Sequence, residues 1–322
     1  MDQNLKGSKV EDYDAPLFIA WQLTSECNLE CKHCLEESGP GHSRLWDEME
    51  GEELFDFCDQ IVENDIPYVA ISGGEPMLHA KFFDICEYIR SAGLSLKVET
   101  NGHFVGKEEA EKFAELGLRS VQVSLDGATP ETYEKMRPNG NFEKTVKACE
   151  LLVSEGVNTE VVFVPAKFNI HEVENAADLA ADLGASGFYT GKTMKIGRAA
   201  ENWDEIEISD EEYDEFFEIL DRKAEKYDGQ MKIYYYPLDI LEELKYRLDS
   251  PAASLLIKPN GDVKLIGPLP FTVGNVKEQS LKEVWENYKR AWRDPEVIEH
   301  TRKVIENPDL LAGPTESVEL YQ

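Results

Sequence analysis

Between residues 17 and 190, short β-branched runs alternate with longer amphipathic stretches, and this alternation restricts the fold more than any other feature of the chain. Strands are predicted at 17–23, 68–72, 94–99, 120–125, 159–164 and 187–190. Helices are predicted near 51–63, 79–92, 107–117, 141–155 and 171–184, several ending in a glycine such as Gly93, Gly117, Gly156 or Gly184. A helix between consecutive strands returns the chain to run the same way. Six βα repeats therefore predict an α/β fold with a parallel sheet.

The unusual polar segments all follow a strand: 27–34 after the first, 73–76 after the second, 100–102 after the third and 126–127 after the fourth. In a parallel barrel the C-terminal strand ends gather on one face, where active sites collect, so these segments are expected to share a mouth. The first carries Cys27, Cys31 and Cys34. A closed zinc site or a fully ligated iron–sulfur cluster takes four protein ligands, whereas three leave one metal position open. A zinc site completed by His33 or His42 is the competing reading. The second segment is Gly73-Gly74-Glu75-Pro76. Its glycines let backbone approach a ligand closely, and its carboxylate suits an ammonium group.

The CxxxCxxC spacing after the first strand and the Gly-Gly-Glu-Pro after the second resemble the paired signature of radical S-adenosylmethionine (radical SAM) enzymes. The resemblance implies a partial (β/α)6 TIM-like barrel over 16–200, preceded by an N-terminal tail at 1–15. It implies one [4Fe-4S] cluster on Cys27, Cys31 and Cys34, with the remaining iron chelated by the amino and carboxylate groups of S-adenosylmethionine. Gly73, Gly74, Glu75 and Pro76 would then meet the ligand's amino group, His33 its adenine and Asn101 its ribose. Ser124 and Asp126 would flank it, and Arg198 would pair with its carboxylate. The implied chemistry is reductive cleavage to methionine and a 5'-deoxyadenosyl radical, which takes hydrogen from a substrate. Read without the resemblance, Asp126-Gly127 is an ordinary turn, His33 an exposed loop histidine and Arg198 a surface arginine.

Residues 254–266 read as a hairpin around Asn260-Gly261, followed by Gly274-Asn275 and a helix beginning at Ser280. This resembles the small α+β twitch/SPASM extension of radical SAM maturases, over 250–322, behind an acidic linker and helical segment at 201–249. Relatives carry a cysteine near the position of Ile266, but no cysteine follows Cys149 here. The extension is therefore expected to lack an auxiliary cluster, which makes redox-neutral outcomes more attractive. Cys58, Cys86 and Cys149 sit among apolar residues at helical spacing and are expected to be small buried hydrophobes.

Acidic residues outnumber basic ones 64 to 33, for a formal charge of -31. Such a field repels phosphate backbones, so nucleic acid is not an expected partner. The sequence has no signal-peptide core and no membrane-length apolar run, and a cytoplasmic protein is expected. The expected substrate is a ribosomally made peptide undergoing maturation. The stretch ahead of the first strand is too short for a leader-recognition domain, so a separate leader-peptide-binding protein is expected, along with an external electron donor of flavodoxin or ferredoxin type. A small metabolite, such as a sugar or a tetrapyrrole side chain, is the alternative substrate. A non-enzymatic metal-binding protein is the alternative of another class.

Overall fold

The structure is a computed structural model and describes residues 9–45, 47–313 and 315–321. Seven strands run in chain order across one parallel sheet: β1 (Phe18–Thr24), β2 (Tyr68–Gly73), β3 (Ser95–Thr100), β4 (Ser120–Ser124), β5 (Thr159–Val162), β6 (Gly187–Gly191) and β7 (Lys232–Tyr236). The crossovers are α1 (Glu52–Glu63), α2 (Phe82–Ser91), α3 (Lys107–Leu116), α4 (Pro130–Met136), α5 (Phe142–Ser154) and α6 (Val173–Asp182), then α7 (Arg198–Glu201), α8 (Trp203–Ile206) and α9 (Asp210–Lys226). The first five crossovers agree with the predicted repeats, and the predicted α/β class holds.

The seventh strand was not expected. β7 lies inside 201–249, which the sequence suggested was a linker and helix, and pairs in parallel with β6 from Gly187 opposite Lys232 to Gly191 opposite Tyr236. Its residues alternate between exposed and half-buried, the period of an edge strand. The long acidic helix α9 in front of it dominates the local composition and hid the short Ile233–Tyr236 run. Of the predicted N-terminal tail, residues 1–8 lie outside the described residues, whereas Val10 is buried in the core.

After α10 (Ile240–Asp249), strand β8 (Ser254–Ile257) returns to the free side of β1 and pairs with it in parallel. Trp21 of β1 is thereby flanked by Ile71 and Ile257 and is fully buried. The predicted hairpin then turns at Asn260-Gly261 into β9 (Asp262–Lys264), antiparallel to β8, with Lys264 opposite Leu256. β10 (Phe271–Asn275) and the short β11 (Val318–Glu319) complete one edge of the sheet. Because β7 and β11 each have one strand neighbour, the described strands form an open, partial barrel.

The predicted C-terminal helix is α11 (Leu281–Ala291), whose first turn is closed by a Ser280–Glu283 capping box. Its Trp285 is buried and donates its indole N–H to the Tyr13 carbonyl at 2.9 Å, tying the extension to the chain start. α12 (Pro295–Glu306) follows. No helix among the described residues is long and apolar enough to cross a membrane.

Candidate active site

The segment carrying Cys27, Cys31 and Cys34 leaves β1 and is held by backbone from neighbouring strand ends. The Gly74 N–H donates to the Thr24 carbonyl at 2.6 Å and the Glu75 N–H to the Glu26 carbonyl at 2.8 Å. A Cβ on Gly74 would drive into the Glu26 carbonyl, and one on Gly73, whose φ is 129°, into that of Thr24. Both glycines therefore allow two protein backbones to touch. The sequence suggests that they admit a ligand, and both also border the cavity described below. On the β1 side, Glu48 accepts from the Thr24 hydroxyl at 2.9 Å and from the Ser25 N–H at 2.7 Å.

The end of β3 and the helices α4 and α7 grip the same loop. The Asn101 side-chain amide donates to the Asn28 side chain at 2.9 Å, and its Nδ2 lies 4.0 Å from the Cys27 sulfur. The Lys32 N–H donates to the Met136 carbonyl at 2.9 Å. Arg198 donates its Nε to the Cys31 carbonyl at 3.1 Å and its other nitrogens to the Glu37 and Ser38 carbonyls. The sequence expected its guanidinium to meet a ligand carboxylate, but the fold directs it to loop backbone.

A cavity of about 280 Å³ lies between the cysteine loop and the ends of β2, β3 and β4. Of the predicted residues, Cys31, His33, Cys34, Gly73, Gly74, Asn101 and Ser124 border it. Cys27 lies just behind, 7% exposed, while Glu75, Pro76 and Asp126 are buried and do not reach the cavity. The Glu75 carboxylate accepts from the Thr100 hydroxyl at 2.9 Å and the Asn101 N–H at 2.8 Å, so it joins β2 to β3.

Arg137 was missed in the sequence. It follows α4 and borders the cavity, with Nε 2.6 Å from the Asp126 carboxylate, Nη1 3.5 Å from the Cys31 sulfur and Nη2 3.4 Å from the His33 ring. Asp126 also accepts from the Val164 N–H at 2.8 Å, which fixes the guanidinium in one orientation. Nothing local marks an arginine ahead of Pro138 as part of a site, because its partners come from two other segments, the cysteine loop and the turn after β4.

Burial sets the electrostatics. It pushes the Cys27 thiol up to about 12 and the Cys31 thiol up to about 11, the nearby Arg137 guanidinium partly opposing the second. These thiols are neutral in the protein alone and need a bound cation to become thiolates, so metal loading releases protons. Burial also pushes His33 down to about 4, leaving a neutral ring beside the charged Arg137.

The residues suit a [4Fe-4S] cluster with S-adenosylmethionine on one observation beside the three thiols. His33 Nδ1 and Ser38 Oγ are buried without a hydrogen-bond partner among the described residues, and both residues border the cavity. Buried polar atoms of this kind call for a polar ligand. Cys58, Cys86 and Cys149 lie elsewhere, each fully buried in the apolar core.

Residues 21–180 match the family described as the Radical SAM superfamily. The AdoMet-dependent heme synthase of Methanosarcina barkeri is 29% identical over 324 residues, spanning 93% of this chain and 91% of that protein. Mycofactocin maturase MftC of Mycobacterium ulcerans is 30% identical over 299 residues, spanning 88% of this chain and 78% of the relative. Among solved structures, Streptococcus suis SuiB bound to S-adenosylmethionine has a TM-score of 0.70 at 14% identity, covering 88% of this chain and 67% of SuiB, which is a likeness of fold.

Proposed function

The chain belongs to the radical SAM superfamily of enzymes, which use a [4Fe-4S] cluster and S-adenosylmethionine, and on that premise we propose that it matures a ribosomally synthesised peptide. When bound, the cluster and S-adenosylmethionine supply a 5'-deoxyadenosyl radical that takes a hydrogen atom from the substrate. In this reading Cys27, Cys31 and Cys34 hold the cluster, and His33, Gly73, Gly74, Asn101, Ser124 and Arg137 border S-adenosylmethionine. Asp126, Glu75 and Arg198 are positioning residues that keep the loop and Arg137 in register. The enclosing strand ends exclude water from the reacting atoms.

The observation that carries the peptide reading is a second recess of about 220 Å³, lined by Leu35 and Glu36 behind the cysteines and by the β8–β9 hairpin. Its wall is largely apolar, and it suits one amino-acid side chain. The likeness to a relative named a maturase supports the same reading. Further parts of the proposal are the division into a barrel at 16–200, a segment at 201–249 and a SPASM/twitch-like extension at 250–322. The extension carries no auxiliary cluster, as no cysteine follows Cys149. A flavodoxin- or ferredoxin-type donor would supply the electron that the cluster held by Cys27, Cys31 and Cys34 needs. A separate leader-peptide-binding protein and a cytoplasmic location complete it.

A second reading, modification of a small metabolite such as a tetrapyrrole side chain, is favoured by the near full-length match to the heme synthase. Anaerobic reconstitution tests the enzyme: about four iron per chain are expected, with S-adenosylmethionine cleavage that Cys34→Ala abolishes. Near-stoichiometric zinc without 5'-deoxyadenosine would overturn it. A mass change in a short precursor peptide encoded beside the gene supports maturation, and turnover of a porphyrin carboxylate alone supports the second reading.

A further inference from the structure

We propose that the recess beside the cysteine loop is the seat of a substrate carboxylate, with the Lys264 ammonium as its counter-charge. The inference rests on the reading that substrate lies next to the cysteine loop, and it names the chemical group the substrate presents.

Lys264 lies on β9, is 3% exposed and lines the recess. Its ammonium donates to the Gly313 carbonyl at 3.3 Å and forms no ion pair among the described residues. An ammonium has three N–H donors, so further acceptors are called for. The two carboxylates in the recess wall are engaged elsewhere. Glu36 pairs with Lys258, and Glu243 pairs with Arg247 while accepting from the Tyr236 hydroxyl. Once those pairs are counted, the recess retains one positive charge.

A buried ammonium on a residue that lines a cavity is costly unless an anion meets it. Burial pulls Lys264 down to about 8, with the neighbouring Lys258 adding to the effect and the Glu36 and Glu316 charges partly opposing it, and the group is still charged at neutral pH. The rest of the wall, including Met194, Ile196, Leu238 and Ile266, is apolar. The complementary ligand is a carboxylate on an apolar stem.

The position of the recess ties this charge to the chemistry. Leu35 and Glu36 border both the recess and the cavity holding Cys31, His33 and Cys34. A stem anchored on Lys264 therefore extends along Leu35 toward the cysteine loop. An anchored carboxylate at one end and an apolar wall along the stem would present a chosen carbon, as a bound substrate in a radical enzyme requires.

Equilibrium dialysis with the anaerobically reconstituted full chain, loaded with S-adenosylmethionine, tests the proposal. The probes are 3-phenylpropionate against 3-phenylpropanamide, and acetyl-Gly-Gly-Phe with a free against an amidated C-terminus. In at least one pair the acid is expected to bind about tenfold more tightly than the amide, the worth of one favourable charge contact. Lys264→Met is expected to erase that preference and Lys264→Arg to keep it, with iron per chain checking that each variant is folded. Preference in the peptide pair alone identifies a peptide C-terminus as the source, and preference in the small pair alone identifies an organic acid. Equal binding of acid and amide, no binding of either acid, or a preference that survives Lys264→Met would overturn the proposal. If Lys264→Met does not fold, the acid–amide comparison on the unmodified protein decides. Binding is read without turnover, so loss of S-adenosylmethionine cleavage with retained acid preference would count against the enzymatic reading alone.

Discussion

Arg137 joins the fully buried carboxylate of Asp126, 2.6 Å from its Nε, to the sulfur of Cys31, 3.5 Å from its Nη1. The pair fixes one wall of the candidate active site to the end of β4. It also sets a positive charge against the loop that would carry the anionic cluster.

Removing that arginine strands a buried carboxylate. Arg137→Met is expected to cost about 3 kcal/mol or more in unfolding free energy, because Asp126 is left without its counter-charge. Arg137→Lys should recover part of that stability but not the forked contact to Cys31 and His33. Urea denaturation of both variants checks the energy. A loss below about 1 kcal/mol in Arg137→Met would show that Asp126 does not depend on the pair.

Gly74→Ala puts a methyl group into the Glu26 carbonyl and must push the β2 loop off the cysteine loop. Overpacking of this kind costs about 1–3 kcal/mol. Iron per chain after reconstitution should fall along with the thermal midpoint. An alanine variant that retains full iron would mean the two loops can separate without disturbing the cysteines.

Burial pushes the Glu75 carboxyl up to about 7, partly opposed by hydrogen bonds from Asn101, Thr100 and Met77. In the unfolded chain its value is near 4.5, so between the two the folded protein binds more protons. Stability is then highest at the acidic end of this window and falls as pH rises through 7, by on the order of 3 kcal/mol for this group. Unfolding of the metal-free protein from pH 5 to 8 should show that decline, and Glu75→Gln should flatten it. Parallel profiles for the two proteins would contradict the assignment.

Lys264 has the reverse dependence. Its value falls from 10.5 when unfolded to about 8 when folded, the neighbouring charges being Lys258, Glu36 and Glu316. From 8 to 10.5 the unfolded chain binds more protons, so stability from this group rises with pH across that window. Lys264→Met should therefore be more stable than the unmodified protein at neutral pH, by on the order of 3 kcal/mol, with the gap closing above pH 8. Thermal midpoints at pH 7 and pH 10 measure it, and a constant gap would mean that Lys264 carries no desolvation penalty.

Much of the site was legible in the chain itself. Cys27, Cys31 and Cys34 mark one loop as thiol-rich, and the periodic strands put the segments after β2 and β3 at the same mouth, where Cys31, Cys34, Gly73, Gly74, Thr100 and Asn101 border the cavity. Hydrophobic period and thiol chemistry are local properties, which a linear sequence carries in full.

Tertiary structure alone decided which groups meet. Arg137 reaches Cys31 across 106 positions, and β8 returns from the far end of the chain to lie beside β1. Glu75, read from its motif as facing a ligand, turns inward to Thr100 and Asn101 because β2 and β3 are neighbours in register. Lys264 acquires its significance in the same way. Strand pairing carries it into a recess whose carboxylates are already paired, and a charge's meaning depends on the partners that long-range packing brings within reach.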